Sequence, residues 1–382
     1  MPAPRFDAGP SRAGAHGLHG ARGRGLSMSW HGSACCTEEA MPRYDADRDA
    51  FVARIDRQRR WLGRGAKLLK AFGMLRQPVQ ETIYERVFSS ELEMLTYAYA
   101  RKNDHLPDLV NPTWYNEKVR WQFLHHPNPL MSLVADKIAV RDYVRYRGGC
   151  IQPPRLIAQG WTPRDLAGAN LPARFVLKTS FGSGQNHIER GETPTRRSDL
   201  VAKLARWMGY DQWRSTGEFH YRAVPKRWLV EEYVPSAPGG QLEYKIFCMM
   251  GEPVFILVVK GRNEHGYRRN LYTPDWKPTA FHWKGFPVDP EPVPRPDRLE
   301  DMLADARLYA RDFMSVRVDF FGSAGGRFDF SELTFASAAA RVPFTPEEVN
   351  VRLGDMIDLS RADEYLEHGK RIAAELGWPP ER

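Results

Sequence analysis

Residues 316–335 read VRVDFFGSAGGRFDFSELTF. Strand-forming residues on either side of a Gly-Gly pair predict a β-hairpin. Glycine fills the two central positions of a tight turn at little steric cost, so with Gly325 and Gly326 there, Ala324 lies opposite Arg327. Counting outward, Asp319 falls opposite Glu332, and Arg317 opposite Thr334. Side chains two apart share one face of a strand. Arg317, Asp319, Glu332 and Thr334 therefore form a polar patch with Phe321 and Phe330 beside it. Val316, Val318, Phe320, Leu333 and Phe335 face the other way. A slip of one residue would reverse every face. Two carboxylates directly opposite repel one another. A hard divalent cation, which takes oxygen ligands, removes that cost. The hairpin alone leaves two readings open: a magnesium site beside an arginine, or a solvated strand face with an Arg–Asp pair.

The chain has 382 residues, 42% of them hydrophobic, which supplies cores for more than one domain or subdomain. Its 55 basic and 47 acidic residues leave a formal charge of +8. That balance favours anionic partners such as nucleotides, phosphates or membrane surfaces without choosing among them. Cys35, Cys36, Cys150 and Cys248 have no zinc-site spacing, and this sparse usage fits a reducing compartment. There is no run of eighteen apolar residues and no apolar signal core at the N terminus, so the expectation is a cytoplasmic protein.

Residues 1–45, rich in Gly, Ala, Arg, Ser and Pro, read as a flexible tail. Residues 46–110 read as a basic helical region. FVARIDRQRRWLGRGAKLLKAFGMLR (51–76) sets Phe51, Ile55, Leu62 and Leu69 against Arg57, Arg59, Arg60, Arg64, Lys67 and Lys70. Such a helix can pack on the main body with a solvated basic side, or touch an acidic membrane surface. Gly63 and Gly65 argue against one long helix. No recognition motif supports nucleic-acid binding.

Helical patterns follow Pro112 and run through 133–149, then 198–209 and 297–313. Strands are predicted at 175–177, 227–234, 242–262 and in the opening hairpin, with Gly251-Glu252-Pro253 as punctuation. The interleaving is that of an α+β protein. LKTSFGSG (177–184) places Lys178 at a strand end before a small-residue loop. Ser180, Ser183 and the amides near Gly182 and Gly184 could donate to phosphate oxygens. A plain surface loop is the competing reading, since neither a P-loop nor a dinucleotide fingerprint is present.

The order of the pieces carries more than any one of them. NPTWYNEKVRW, DKIAVRDYV, LPARFVLKTSFGSG, EFHYRAVPKRWLVEEYV, EYKIFCMMGEPVFI, VRVDFF and FSELTF follow one another within residues 111–346. This series resembles the TupA-like ATP-grasp proteins linked to teichuronopeptide and other surface-polymer synthesis. The resemblance implies an ATP-grasp fold with the nucleotide site between two α+β subdomains. It implies a catalytic domain over 111–355 and a helical tail over 356–382.

It also implies roles. Lys137 is the first nucleotide lysine and Lys178 the second. The loop from Thr179 to Gly184, including Ser180, Gly182 and Ser183, closes over the β and γ phosphates. Glu231 belongs to the adenine-side hinge. Glu243 is the ribose-side acid, and Lys245 faces phosphate or substrate. Asp319 and Glu332, with Thr334 beside them, hold Mg2+ or, in its place, Mn2+. Arg317 steadies the transferring phosphoryl group.

The implied reaction joins a carboxylate to an amine at the expense of ATP, on a small molecule or surface-polymer precursor, with peripheral membrane contact as a secondary expectation. A glycosyltransferase using a nucleotide sugar and an inactive nucleotide-binding scaffold are the alternatives. Three departures from the family pattern stand out. Glu332-Leu333-Thr334 replaces the Glu-x-Asn of many ATP-grasp ligases, although TupA-like proteins tend to share it. Thr179-Ser180-Phe181 replaces a Cys-Asn-His loop. Glu243 stands where aspartate is usual. His187, His220, Tyr221 and Cys248 read first as structural residues.

Overall fold

The computed structural model describes residues 46–71, 86–236, 240–263, 266–286, 288–322 and 326–381. The tail expected at 1–45, with Cys35 and Cys36, lies outside them. So do Ala324 and Gly325 of the hairpin turn.

Helix α1 (Ala46–Ala71) runs through Gly63 and Gly65, against the expectation of a break. No neighbouring atom lies within 4 Å of a Cβ built at Gly63, so glycine is no packing requirement there. Phe51, Ile55 and Leu62 pack with Val87, Phe88 and Tyr97, the last on α2 (Glu91–Ala100). That apolar stripe holds the helix on the body and offsets the weak propensity of two glycines. The side chains of Lys67, Leu69 and Lys70 lie outside the described set.

Helices α3 (Tyr115–His125), α4 (Pro129–Ala135) and α5 (Val140–Arg147) follow. Glu117 closes the start of α3, accepting from the amides of Thr113 and Trp114. Trp114 and Val119 are buried, and Trp121 is half-buried.

The first sheet holds β1 (Leu156–Gly160), β2 (Phe175–Thr179), β3 (Asn186–Glu189) and β4 (Trp228–Glu232), in the order β1-β4-β2-β3. Helices α6 (Pro163–Gly168) and α7 (Arg197–Met208) supply Leu166, Leu200 and Leu204 to its core. Helix α8 (Trp213–Thr216) and a 3-10 turn over Phe219–Ala223 lead back towards β4.

The second sheet is larger. Its order is β10-β9-β5-β6-β7, all antiparallel neighbours, built from β5 (Leu242–Met249), β6 (Glu252–Asn263), β7 (Gly266–Tyr272), β9 (Ser315–Gly322) and β10 (Phe328–Thr334). Met250 and Gly251, both at positive φ, make the β5–β6 turn. Pro253 lies inside β6, opposite Cys248, where the register shifts. Of the expected punctuation at 251–253, only Gly251 is in the turn; Glu252 and Pro253 begin β6. A bulge is one of the few strand positions that tolerates proline.

Helix α9 (Leu299–Ala310) packs behind β5, β6 and β9. A short pair formed by β8 (His282–Trp283) and β11 (Phe344–Thr345) precedes α10 (Glu348–Asp355) and α11 (Ala362–Glu375).

The opening hairpin pairs Asp319 with Glu332 and Arg317 with Thr334, as counted from the sequence. Nearer the turn the count is off by one: Gly322 faces Phe328, and Phe320 faces Phe330. A β-bulge between Phe330 and Glu332 absorbs the extra residue and restores the register. Phe330 therefore does not flank the polar patch. It is buried on the opposite face, with ring centroids 6.2 Å from Phe320 and 5.5 Å from Tyr309 of α9.

Candidate active site

Each strand of the β9–β10 pair alternates, so its odd positions on β9 leave the α9-facing core and present charge instead. Asp319 is 1% exposed, yet it faces two cations. Arg317 grips it with two bonds, Nε to Oδ1 and Nη2 to Oδ2, each 2.6 Å. Lys245, opposite Asp319 on β5, reaches Oδ2 at 2.7 Å and Glu243 at 2.8 Å. Arg317 Nη2 also donates to Thr334 Oγ1 at 3.1 Å and stands 3.6 Å from Glu332. Burial pushes the Asp319 carboxyl up, but Arg317 and Lys245 outweigh it and hold the group below its ordinary value. Burial acts against the Arg317 charge too, and Asp319 with Glu332 reverses it, so Arg317 stays firmly protonated.

A second cluster lies on the first sheet. Glu231 of β4 accepts from Lys178 of β2 and from Arg141 of α5. Burial raises its carboxyl, and these two cations bring it below the ordinary range. Lys137, in the turn between α4 and α5, stands between the clusters. Burial lowers its pKa, Glu332 opposes that, and Lys178 adds to it. Its amide donates to Ser180 O at 2.9 Å and its ammonium to Gly182 O at 2.6 Å. Asp136 beside it pairs with Arg227 at 2.6 Å and accepts from the Ile138 amide, which fixes the turn.

The glycine loop is braced from inside. The Ser180 hydroxyl donates to Pro225 O at 2.9 Å and accepts from the Arg227 amide, so it points into the protein and not towards a phosphate. Gly182 and Gly184 take φ of +70° and +78°, which glycine adopts without strain. Ser183 is exposed, and its amide donates to Gln212 Oε1 at 2.5 Å. Gln212 in turn donates to the buried Glu218 at 3.0 Å.

The structure thus gathers Arg317, Asp319, Glu332, Thr334, Lys245 and Glu243 in one patch. Lys178 with Glu231, and Lys137 with the loop, form two neighbouring groups. His187 lies apart on β3, bonded to Thr195 and beside Lys203. Cys248 is buried, which raises its thiol well above the ordinary value. Arg141, Gln212 and Ser337 were missed by the sequence reading. Arg141 was findable, since it lies one turn past Lys137 in the same DKIAVRDYV segment.

The patch fits a hard divalent cation. Its donors are all oxygen. Asp319 Oδ1 accepts one bond, leaving a lone pair. The Glu332 side chain is 33% exposed, and the only hydrogen bond it accepts among the described residues is from Thr334, at 3.3 Å. No group of three or more His, Cys, Asp or Glu side chains is placed to hold a metal among the described residues. Two carboxylates with water and phosphate oxygens completing the shell match the habit of Mg2+.

A family model described as TupA-like ATPgrasp matches residues 117–358, which include every one of these groups. The chain belongs to the TupA-like ATP-grasp family. Its fold is the α+β ATP-grasp fold. None of the curated proteins compared matches the chain. Similar solved structures include the ATP-grasp ligase PsnB complexed with minimal precursor, at 11% identity and a TM-score of 0.32, covering 64% of this chain and 63% of that one. The D-alanine–D-alanine ligase of Bacillus anthracis complexed with ATP gives 13%, 0.31, 64% and 69%. That of Helicobacter pylori gives 12%, 0.34, 59% and 59%. The chain thus spans less than two thirds of the PsnB ligase that it matches.

Proposed function

We propose that this TupA-like ATP-grasp protein is an ATP-dependent carboxylate–amine ligase, with residues 111–355 as the catalytic unit and the nucleotide between the two sheets. The observation that carries the reading is the convergence of Arg317, Asp319, Glu332 and Lys245 on one face of the second sheet, with Lys137 and Lys178 on the neighbouring elements.

A substrate carboxylate oxygen attacks the γ-phosphorus of ATP. The bond to the bridging oxygen breaks, its electrons leave with ADP, and an acyl phosphate remains. An amine then attacks the acyl carbon, phosphate departs, and the amine loses a proton to solvent. No covalent enzyme intermediate is needed, so alignment and charge compensation do the catalysis. Lys137 and Lys178 bind phosphate oxygens. Arg317, protonated throughout, meets the charge that develops on the transferring group. Asp319 and Glu332, with Thr334 beside them, would hold Mg2+, which neutralises phosphate charge when bound. The loop at 179–184 excludes water that would hydrolyse the acyl phosphate.

The substrate class we favour is an amino acid or uronic-acid carboxylate of a cell-surface polymer precursor, from family membership. Among the described residues no helix is long and apolar enough to cross a membrane.

The test is Mg2+-dependent ATP binding by calorimetry, comparing wild type with the double variant Asp319→Asn, Glu332→Gln. The expected result is binding in the wild type and its loss in the variant. A folded wild type that binds no ATP under Mg2+ or Mn2+ overturns the reading and moves attention to nucleotide sugars.

A further inference from the structure

Arg317 donates from its third nitrogen as well. Nη1 bonds the Ser337 hydroxyl at 2.6 Å. Ser337 is not on the strand. β10 ends at Thr334, and Ser337 is three residues further on. The three residues that follow Ser337 are all at positive φ, Ala338 at 49°, Ala339 at 54° and Ala340 at 47°. Left-handed conformations crowd a Cβ against the following carbonyl, and three alanines in succession are rare. Such a segment persists only where its surroundings over-determine it.

Two adjacent carbonyls of the turn are held by one side chain. Arg120 of α3 is 0% exposed. Its Nε donates to Ala340 O at 3.0 Å and its Nη2 to Ala339 O at 2.8 Å. Nη1 donates to Leu95 O at 2.9 Å, anchoring the guanidinium to α2. All three acceptors are backbone carbonyls. Asn103 and Asn116 hold the carbonyls of Arg341 and Val342 that follow, each at 2.9 Å. A buried cation committed to two adjacent carbonyls of a strained turn needs a reason, and Ser337 is the residue that this turn anchors from its C-terminal side.

We infer that Ser337, seated by Arg120 through the left-handed turn, is a positioning residue that fixes the guanidinium plane of Arg317. Asp319 takes bonds from Nε and Nη2, and Thr334 takes a second bond from Nη2, so these leave the Nη1 corner of the guanidinium unheld. The Ser337 bond holds that corner. The turn is therefore part of the phosphoryl-transfer apparatus, although it need touch no substrate. This rests on the ligase reading for its consequence, but not for its geometry.

Two measurements on the full chain test it. The first follows the side-chain N–H signals of Arg317 by NMR, assigned by their loss in Arg317→Lys. In Ser337→Ala the guanidinium protons should exchange with water at least about fivefold faster, as for the loss of one hydrogen bond, and Ser337→Thr should restore protection. Arg120→Lys should act like Ser337→Ala, because one ammonium cannot hold two carbonyls in the same plane. If Arg120→Lys does not fold, the two Ser337 variants still decide.

The second measurement is ADP release from Mg-ATP. Ser337→Ala should lower the rate about tenfold with KM for ATP within about twofold, and Ser337→Thr should recover it. Unchanged guanidinium exchange in Ser337→Ala overturns the inference, and so does faster exchange with an unchanged rate. A wild type that releases no ADP counts against the ligase reading alone, since proton exchange still reports whether Ser337 fixes Arg317.

Discussion

Glu231 on β4 and Asp319 on β9 are both buried carboxylates, and each is held by one arginine and one lysine. The cations reach them by different routes. Asp319 takes Arg317 from its own strand and Lys245 from the strand beside it, so the carboxylate and both its cations belong to one sheet. Glu231 takes Lys178 from the neighbouring strand but Arg141 from helix α5. One cluster is internal to a sheet, and the other ties a sheet to a helix. Exposure differs as well. The Asp319 cations have side chains 11% and 14% exposed; Arg141 is also 11% exposed, and the difference lies in Lys178, at 22%. The rigid cluster suits a group whose aim must not vary. On the proposed ligase reading, the other suits a lysine that lets go of Glu231 when a nucleotide offers it a better anion.

Asparagine and glutamine substitutions probe that contrast most strongly. Asp319→Asn strands two buried cations in the sheet. We expect a loss of about 3 kcal/mol in urea unfolding and a fall of about a thousandfold in ADP release. Glu231→Gln leaves Lys178 partly solvated and should cost roughly 2 kcal/mol, with Mg-ATP affinity weakened about tenfold. Equal destabilisation by the two would break the distinction. A larger cost for Glu231→Gln would invert it.

Acid titration offers a smaller, graded test. Both carboxyls have folded pKa values below their unfolded ones, Asp319 through Arg317 and Lys245, Glu231 through Lys178 and Arg141, in each case against burial. The stability they contribute is complete above the unfolded carboxyl range, near pH 4, and is lost as pH falls through the lower folded values. Wild-type stability should therefore decline below about pH 4, and Asp319→Asn, with one such group removed, should decline less steeply over the same interval. Parallel slopes in a pH series of urea melts would show that Asp319 is not held in this way.

The same contrast explains what was legible in the sequence. The pairing of Asp319 with Glu332 follows from period two and a turn, because β-hairpin contacts are local. Even so, the bulge at Ser331 was invisible. It changes the count by one without leaving a glycine or proline as a mark, and it moved Phe330 to the other face. The Arg141–Glu231 contact joins residues 90 apart in the chain, and no local period encodes it. Ser180 was misplaced for a related reason. A hydroxyl in a glycine loop looks free until Pro225 and Arg227, brought close by the β2–β4 pairing, claim it. Ser337 carried no signal at all, since the left-handed turn that anchors it from the following residues is made of alanines.

The smallest effect concerns the loop that serves Lys178. If the first sheet is the adjustable side of the site, its loop should be held by a contact that can open. Gln212 is that contact, with one end on the Ser183 amide and the other on Glu218. Burial raises the Glu218 carboxyl despite the Gln212 bond, which favours its neutral form and makes the anchor a modest one. Gln212→Ala should leave global stability within about 1 kcal/mol and speed hydrogen exchange at the Ser183 amide by roughly tenfold or less. Exchange at Ile246, in the middle of the second sheet, should not change. If Ser183 exchange stays at its wild-type rate, the loop is held by its Ser180 and Lys137 bonds without Gln212. The first sheet would then be as fixed as the second, and the release of Lys178 would have to come from β2 itself.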